Sequence, residues 1–176
     1  MNHLNFFLTY IALPVQLILF DFNKYTSTSG WFTVNDTVMG GRSQGSLSIN
    51  HSGNAVFQGI ISKKNNGGFA SVCYHFNQKD IGDYKKVKIR LRGDGKSYQF
   101  RAKSNSYDRH SYVYPFQTPG QWQEIEIPLH EMRPRFRGSY LNMENYDGKQ
   151  ISEIAFLISN KIDEPFQLEI DIISLN

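Results

Sequence analysis

Hydrophobic and polar positions alternate with a period of two along most of this chain, and nowhere hold a helical period for more than a single turn. In KVKIRLR (86–92), Val87, Ile89 and Leu91 share one side while Lys86, Lys88, Arg90 and Arg92 share the other. SYQFRAK (97–103) answers with Tyr98, Phe100 and Ala102 inward and Gln99, Arg101 and Lys103 outward. Near the end of the chain, Phe166, Leu168, Ile170 and Ile172 alternate with Gln167, Glu169 and Asp171. The runs LILFDF, SLSIN, AVFQGIIS, FASVCYHF, SYVYPFQT, WQEIEI and SEIAFLIS read the same way. Turn residues separate the runs every eight to twelve residues or so, the mark of a sandwich or barrel. The pattern predicts roughly eight to ten strands in two packed sheets, an all-β, single-domain β-sandwich of jelly-roll type. One helical turn is expected at Pro128–Met132, with proline at its first position.

The turns add connectivity. NHSGN (50–54) is expected to join SLSIN and AVFQGIIS in a hairpin. NNGG (65–68) carries the strongest short hairpin signal, because both central residues of such a turn need positive φ. GDGK (93–96) predicts a second tight hairpin, which would put Arg90, Arg92, Arg101 and Lys103 on one outward face.

Composition changes this picture little. The 176 residues are one domain's worth, and 13 Phe and 10 Tyr favour strands. The formal charge of +3 is spread along the chain and gives no reason to expect nucleic acid as a partner. A single cysteine, Cys73, excludes an internal disulfide and reads as a buried structural thiol. Residues 1–16 are apolar but broken by Pro14 and Gln16, with no basic start and no small-residue cleavage site. They are expected to be an extension ahead of a domain at 17–176. The protein is expected to be cytoplasmic and soluble, reaching a membrane only through a partner or that extension. The alternative is export or membrane association through residues 1–20.

Candidate chemistry is sparse. GGRSQG (40–45) has the form of a hydrolase nucleophile elbow, but an elbow needs a strand before it and a helix after it. Here the alternating SLSIN follows, so Ser43 is not read as a nucleophile. The five histidines are scattered without ligand spacing, and no metal or other cofactor is expected. Glu124 and Glu126 sit two apart, as on the solvent face of an ordinary strand. No acid, base and nucleophile converge, and the chain is expected not to be an enzyme.

What remains is a loop and a set of cations. In VNDTVMGGRS, Asn35 and Asp36 can bond nearby amides, Gly40 and Gly41 permit positive φ or close approach, and Trp31, Phe32, Val34, Val38 and Met39 supply anchors. The loop is either a structural corner or a nest of backbone amides that contacts an anion or a partner. RPRFRG (133–138) reads as a second basic stretch in a loop, with Arg133, Arg135 and Arg137 around Phe136. Arg90, Arg92, Arg101, Lys103, Tyr112, Arg135, Phe136 and Arg137 are the candidate partner-binding residues. For sugar stacking the candidates are Trp31, Trp122, Tyr107 and Tyr112.

The segments WFTVNDTVMGGRSQG, NNGGFASV, RLRGDGKSYQFRAKS, WQEIEIPL, FRG and ISEIAFLISNK, in that order, resemble the complex I intermediate-associated protein family. The resemblance runs from about Leu19 onward, and the Asn-Asp-x-Val-Met-Gly-Gly-x-Ser core is its specific part. It implies a galactose-binding-like jelly roll and a non-enzymatic, chaperone-like assembly factor whose partners are subunits of a larger complex. The signature residues are then Trp31, Asn35, Asp36, Met39, Gly40, Gly41 and Ser43. Lacking an Arg- and Ser-rich transit peptide, the chain looks like a compact bacterial member. The implied fold also resembles carbohydrate-binding modules, which makes sugar binding the second reading.

Overall fold

A computed structural model of the chain describes residues 16–176. The extension expected at 1–16 lies outside those residues but for Gln16. Each alternating run forms a strand with its apolar side turned inward. In chain order these are β1 (Leu17–Asp21), β2 (Trp31–Asn35), β3 (Gln44–Ile49), β4 (Ala55–Ile61), β5 (Ala70–Asp80), β6 (Lys86–Arg92), β7 (Ser97–Lys103), β8 (Ser111–Gln117), β9 (Gln123–Pro128), β10 (Arg133–Phe136), β11 (Ser139–Tyr140), β12 (Gln150–Ile158) and β13 (Glu164–Leu175). Among the described residues only three short 3-10 turns interrupt them, one at Leu129–Glu131 where the helical turn was expected. No helix there is long and apolar enough to cross a membrane.

The strands form two antiparallel sheets packed face to face, a jelly-roll sandwich. One sheet runs β3–β4–β13–β6–β9, with β1 on the second half of β13 beyond the end of β4. The other runs β11–β10–β8–β7–β12–β5–β2. Between them lie Phe57, Val87, Ile89, Leu91, Tyr98, Phe100, Phe156, Leu168 and their neighbours, all without solvent exposure. Burying each such side chain contributes about 1.5–3 kcal/mol. The alternation of β13 slips by one at a bulge between Ile170 and Ile172. Ile173 and Leu175 therefore enter the core where Ile172 was expected.

The expected hairpin at NHSGN joins β3 to β4. The other two are not hairpins within a sheet. NNGG leads from β4 in one sheet to β5 in the other, with positive φ at Asn65 and Gly68 and not at the central pair. GDGK likewise carries the chain from β6 across to β7. Its tight turn is real, with Gly95 at φ +86, and is tied down by Asp94, which accepts from Tyr98 Oη and from the Gln167 amide of β13. Arg90 and Arg92 therefore lie on one outer face of the sandwich, and Arg101 and Lys103 on the opposite one.

At the same end of the sandwich, two further crossovers meet at one carboxylate. The chain leaves β2 through Asp36–Met39 to reach β3, and returns from β4 through Lys64–Asn66 to β5. Asp36 has no solvent exposure. Its Oδ1 accepts the Ser43 amide at 2.8 Å, and its Oδ2 accepts the Gly68 amide at 2.6 Å, the Phe69 amide at 3.3 Å and the Ser43 hydroxyl. Ser43 Oγ in turn accepts the Ser62 amide at 3.0 Å. Gly40 turns the loop at φ +84, and its carbonyl accepts from Asn65 Nδ2. A Cβ on Gly41 or Gly67 would run into the Asp36 carboxylate. Burial works to raise the Asp36 pKa, but the Ser43 hydroxyl and the three amides outweigh it and hold the group below its ordinary 3.8.

Asp36→Ala would leave three backbone amides without their acceptor, at an expected cost of about 3 kcal/mol or more. On thermal denaturation that reads as a melting temperature roughly 6–12 °C lower. Gly41→Ala should fall similarly, and either variant melting within about 2 °C of the parent would show that the carboxylate does not tie the crossovers. Because the folded pKa is depressed, this stabilisation is complete above the unfolded value and disappears as pH falls through the folded one. The gap in urea midpoint between wild type and Asp36→Ala should thus be constant above about pH 5 and narrow below about pH 4, and a gap that stays constant down to about pH 2 would contradict the assignment.

Candidate functional site

The two outer faces carry similar numbers of cations and treat them differently. On the six-stranded side β6 lies between β13 and β9, whose outward positions hold acids. Lys86 pairs with Glu126 at 2.6 Å, Lys88 with Glu124 at 2.7 Å, and Arg92 with Glu169 at 2.6 Å, while Arg90 pairs with Asp171. The Arg90 and Arg92 guanidiniums also lie 4.6 and 5.3 Å from the centre of the Trp122 ring. Glu124 and Glu126 are counter-ions, and this face is charge-balanced. Arg90 and Arg92 do not join Arg101 and Lys103 in one patch, because the chain changes sheets between them.

On the seven-stranded side, strand register aligns outward side chains in rows. One row reads Phe32, Cys73, Ala155, Arg101, Val113 and Arg133 across β2, β5, β12, β7, β8 and β10. Beside it run Val34, Ser71, Leu157 and Gln99, and on the other flank His75, Glu153 and Lys103. The β2, β5 and β12 members of these rows, with Arg101 and Lys103 of β7, line a groove of about 300 Å³. Its β2 side is mainly apolar, with Phe32, Val34, Phe69 and Leu157 beside Ser71, and its β7–β8 side is cationic, with Arg101, Lys103 and Arg109, while His75 and Glu153 lie along one flank. Buried Glu153 is shared by Lys103, at 3.3 Å, and His75.

Arg101 has no carboxylate partner among the described residues. Its Nε and Nη2 both donate to Gln99 Oε1, at 3.2 and 2.8 Å. Burial, and then the charge of Arg135, push its pKa down to about 10. RPRFRG, expected as a loop, is strand β10 followed by a two-residue turn in which Arg137 (φ +46) and Gly138 (φ +86) both take the left-handed conformation of a hairpin. That hairpin aims Arg133 and Arg135 outward over Tyr140, at 4.2 and 5.1 Å, and Arg135 donates twice to the Gly138 carbonyl. Arg109 and Arg137 lie 5.0 and 5.4 Å from the Phe136 ring. Arg101, Arg109, Arg133, Arg135 and Arg137 thus make no ion pair among the described residues, and residues 1–15 contain no Asp or Glu to supply one.

The other sequence candidates sit elsewhere. Tyr112 turns inward and stacks on Tyr146 at 4.7 Å. Trp31 is 8% exposed and packs among Phe20, Phe22 and Tyr74. Asn35 closes β2, Asp36, Gly40, Gly41 and Ser43 belong to the carboxylate knot, and the Met39 side chain lies outside the description. The amides that a nest would offer to an anion are occupied by Asp36. Cys73 lies under the groove floor, its thiol pushed up to about 11 by burial, which makes it a poor nucleophile. Gln99, Arg109, His75 and Glu153 were not singled out from sequence. The one available signal was Glu153, an acid inside the apolar run ISEIAFLIS.

Residues 20–170 match the sequence profile of the family described as complex I intermediate-associated protein 30. Complex I intermediate-associated protein 30, mitochondrial, of Mus musculus is 24% identical over 191 aligned residues, which cover 94% of this chain and 57% of that protein. Its Drosophila melanogaster counterpart is 24% identical, with 90% and 62% covered. The chain therefore spans less than two thirds of the length of either relative. Among solved structures, a family 11 carbohydrate-binding module of Clostridium thermocellum, in complex with a β-1,3-1,4-mixed-linked tetrasaccharide, superposes with a TM-score of 0.65 at 18% identity, covering 91% of this chain and 94% of that one. The agarase AgWH50C matches with a TM-score of 0.60 at 18% identity, over 92% of this chain and 24% of the agarase. At these identities the structural likeness is one of fold. With the profile covering most of its length, the chain belongs to the complex I intermediate-associated protein 30 family.

Proposed function

We propose that this chain is a non-enzymatic protein-binding module that holds subunits of a larger complex, a respiratory one among the candidates, in the manner of a chaperone-like assembly factor. The observation that carries the reading is the contrast between the two faces. On one, every β6 cation has its own acid; on the other, five arginines stand together with none. Like charges gathered on one surface repel each other and favour an acidic partner that neutralises them. Arginine beside aromatic rings, as at exposed Tyr140 and half-buried Phe136, is also the composition of interface anchors. The names of the mouse and fly relatives agree with such a role. So does the inert state of Ser43, whose hydroxyl is spent on Asp36.

Carbohydrate binding is the weaker reading. Stacking a sugar needs an open aromatic face with polar groups beside it. Trp31 is in the core, Trp122 is covered by two arginines on the opposite face, Tyr112 turns inward, and Tyr107, 91% exposed, lies in the loop between β7 and β8 outside the groove lining.

The test is capture from a lysate of the native cell that includes detergent-solubilised membranes, read by mass spectrometry. Wild type and an Arg90→Gln/Arg92→Gln variant should recover the same set of subunits, and Arg101→Gln/Arg135→Gln should lose it. Raising salt from about 0.1 M to about 0.5 M should weaken capture, because these charges are partly exposed. Equal loss in both variants, or binding confined to a glycan array, would remove the basis for the proposal.

A further inference from the structure

The groove on the seven-stranded sheet is divided in a way that specifies more than an acidic surface. We infer that it holds a carboxylate-binding subsite at Arg101 beside an apolar subsite bounded by Phe32, Val34 and Leu157, and so takes an extended segment of a partner protein that presents an acidic side chain next to an apolar one. The inference rests on the protein-binding reading above and names the chemistry of what is bound.

Arg101 is built as a receptor. Its two bonds to Gln99 fix the guanidinium plane and use only part of the five donors of that group. The remaining N–H groups have no acceptor among the described residues. Its neighbours across the sheet are Ala155 and Val113, both too short to cover it. Other groups that could fill the space are committed: Glu153 to Lys103 and His75, and the Arg135 fork to the Gly138 carbonyl. A planar guanidinium held in place, partly buried and flanked by further cations, suits a carboxylate in the bidentate geometry that makes such pairs specific.

The apolar half is equally defined. Cys73, Ala155 and Leu157 form a closed floor, each no more than 7% exposed, while Phe32 stands 39% exposed at the β2 edge. Three strand spacings, about 14 Å, separate β7 from β2, so a few extended residues reach from one subsite to the other. An anion without an apolar partner would leave this half of the groove unused.

The probes are capped peptides in which zero to three glycines separate one glutamate from one phenylalanine, each with its glutamine counterpart, titrated into the full chain and followed by NMR. At least one spacing should bind wild type at least about tenfold more tightly with glutamate than with glutamine. Binding should shift the Arg101 Nε–H signal together with the Val34, Ala155 and Leu157 methyl signals. Arg101→Gln, with its melting curve as a check on folding, should bring the two series to within about twofold. Phe32→Ala, at an exposed edge position, should weaken both series while keeping the glutamate preference. No binding at millimolar peptide, equal affinity for the two series, or shifts confined to other surfaces would overturn the inference. Should the peptides fail while lysate capture still depends on Arg101 and Arg135, this inference falls and the protein-binding reading stands. Peptide binding without such dependence in capture would instead remove the assembly reading.

Discussion

A single carboxylate removed from water holds one end of this sandwich together. Burying Asp36 as an anion is tolerable because four hydrogen bonds replace its hydration, and those bonds come from two chain segments that cross between the sheets in opposite directions. The Asn-Asp-x-Val-Met-Gly-Gly-x-Ser core follows from this requirement. Asp36 is the acceptor, Gly40 turns the chain through positive φ, Gly41 leaves room for the carboxylate, and Ser43 returns both an amide and a hydroxyl. Gly67, on the returning crossover, leaves the same room from the other side. The knot also sets β2 against β5, and these strands carry Phe32, Val34, Ser71 and Cys73. The apolar half of the groove is thus positioned by a loop that meets it at the Phe69 backbone.

The electrostatics of the two faces follow from strand order. β6 presents Lys86, Lys88, Arg90 and Arg92 outward, and β7 presents Ser97, Gln99, Arg101 and Lys103. β6 sits between strands whose outward positions are Glu124, Glu126, Glu169 and Asp171, and its charges close into cross-strand pairs. β7 sits between Ala155 and Val113 at the level of Arg101, with the arginines of β10 beyond. Local sequence makes both strands basic, and topology decides which of them is neutralised. Like-charge repulsion on the second face is a cost that a partner's acids would remove.

Much of the architecture is legible in the residues. The period-two runs identify the core positions of β6, β7 and the first half of β13, and the signature loop reads as capped and glycine-dependent before its knot is seen. Face assignment is not legible, because alternation is indifferent to whether Gly95 turns the chain back within one sheet or across to the other. For the same reason Arg90 and Arg101 look like neighbours in the sequence and lie on opposite sides of the protein. Strand β10 is hidden by Pro134 and two arginines, and its turn by Arg137 at a position where asparagine is the usual residue before glycine. The bulge in β13 changes which isoleucine enters the core, and nothing local marks it. Arg109 reaches the groove from a loop that has no period to read.

The measurement that bears most directly on this account is the salt dependence of stability for two neutralised variants, Arg101→Gln/Arg135→Gln and Arg90→Gln/Arg92→Gln. Melting temperatures would be compared with wild type at about 0.02 M and about 1 M sodium chloride. If the groove arginines repel one another without counter-ions, the first variant gains on wild type at low salt and loses that advantage at high salt. The second, having lost attractive pairs, shows the opposite dependence. Salt dependences of the same sign on both faces would contradict the claim that the groove side is left uncompensated for a partner to complete.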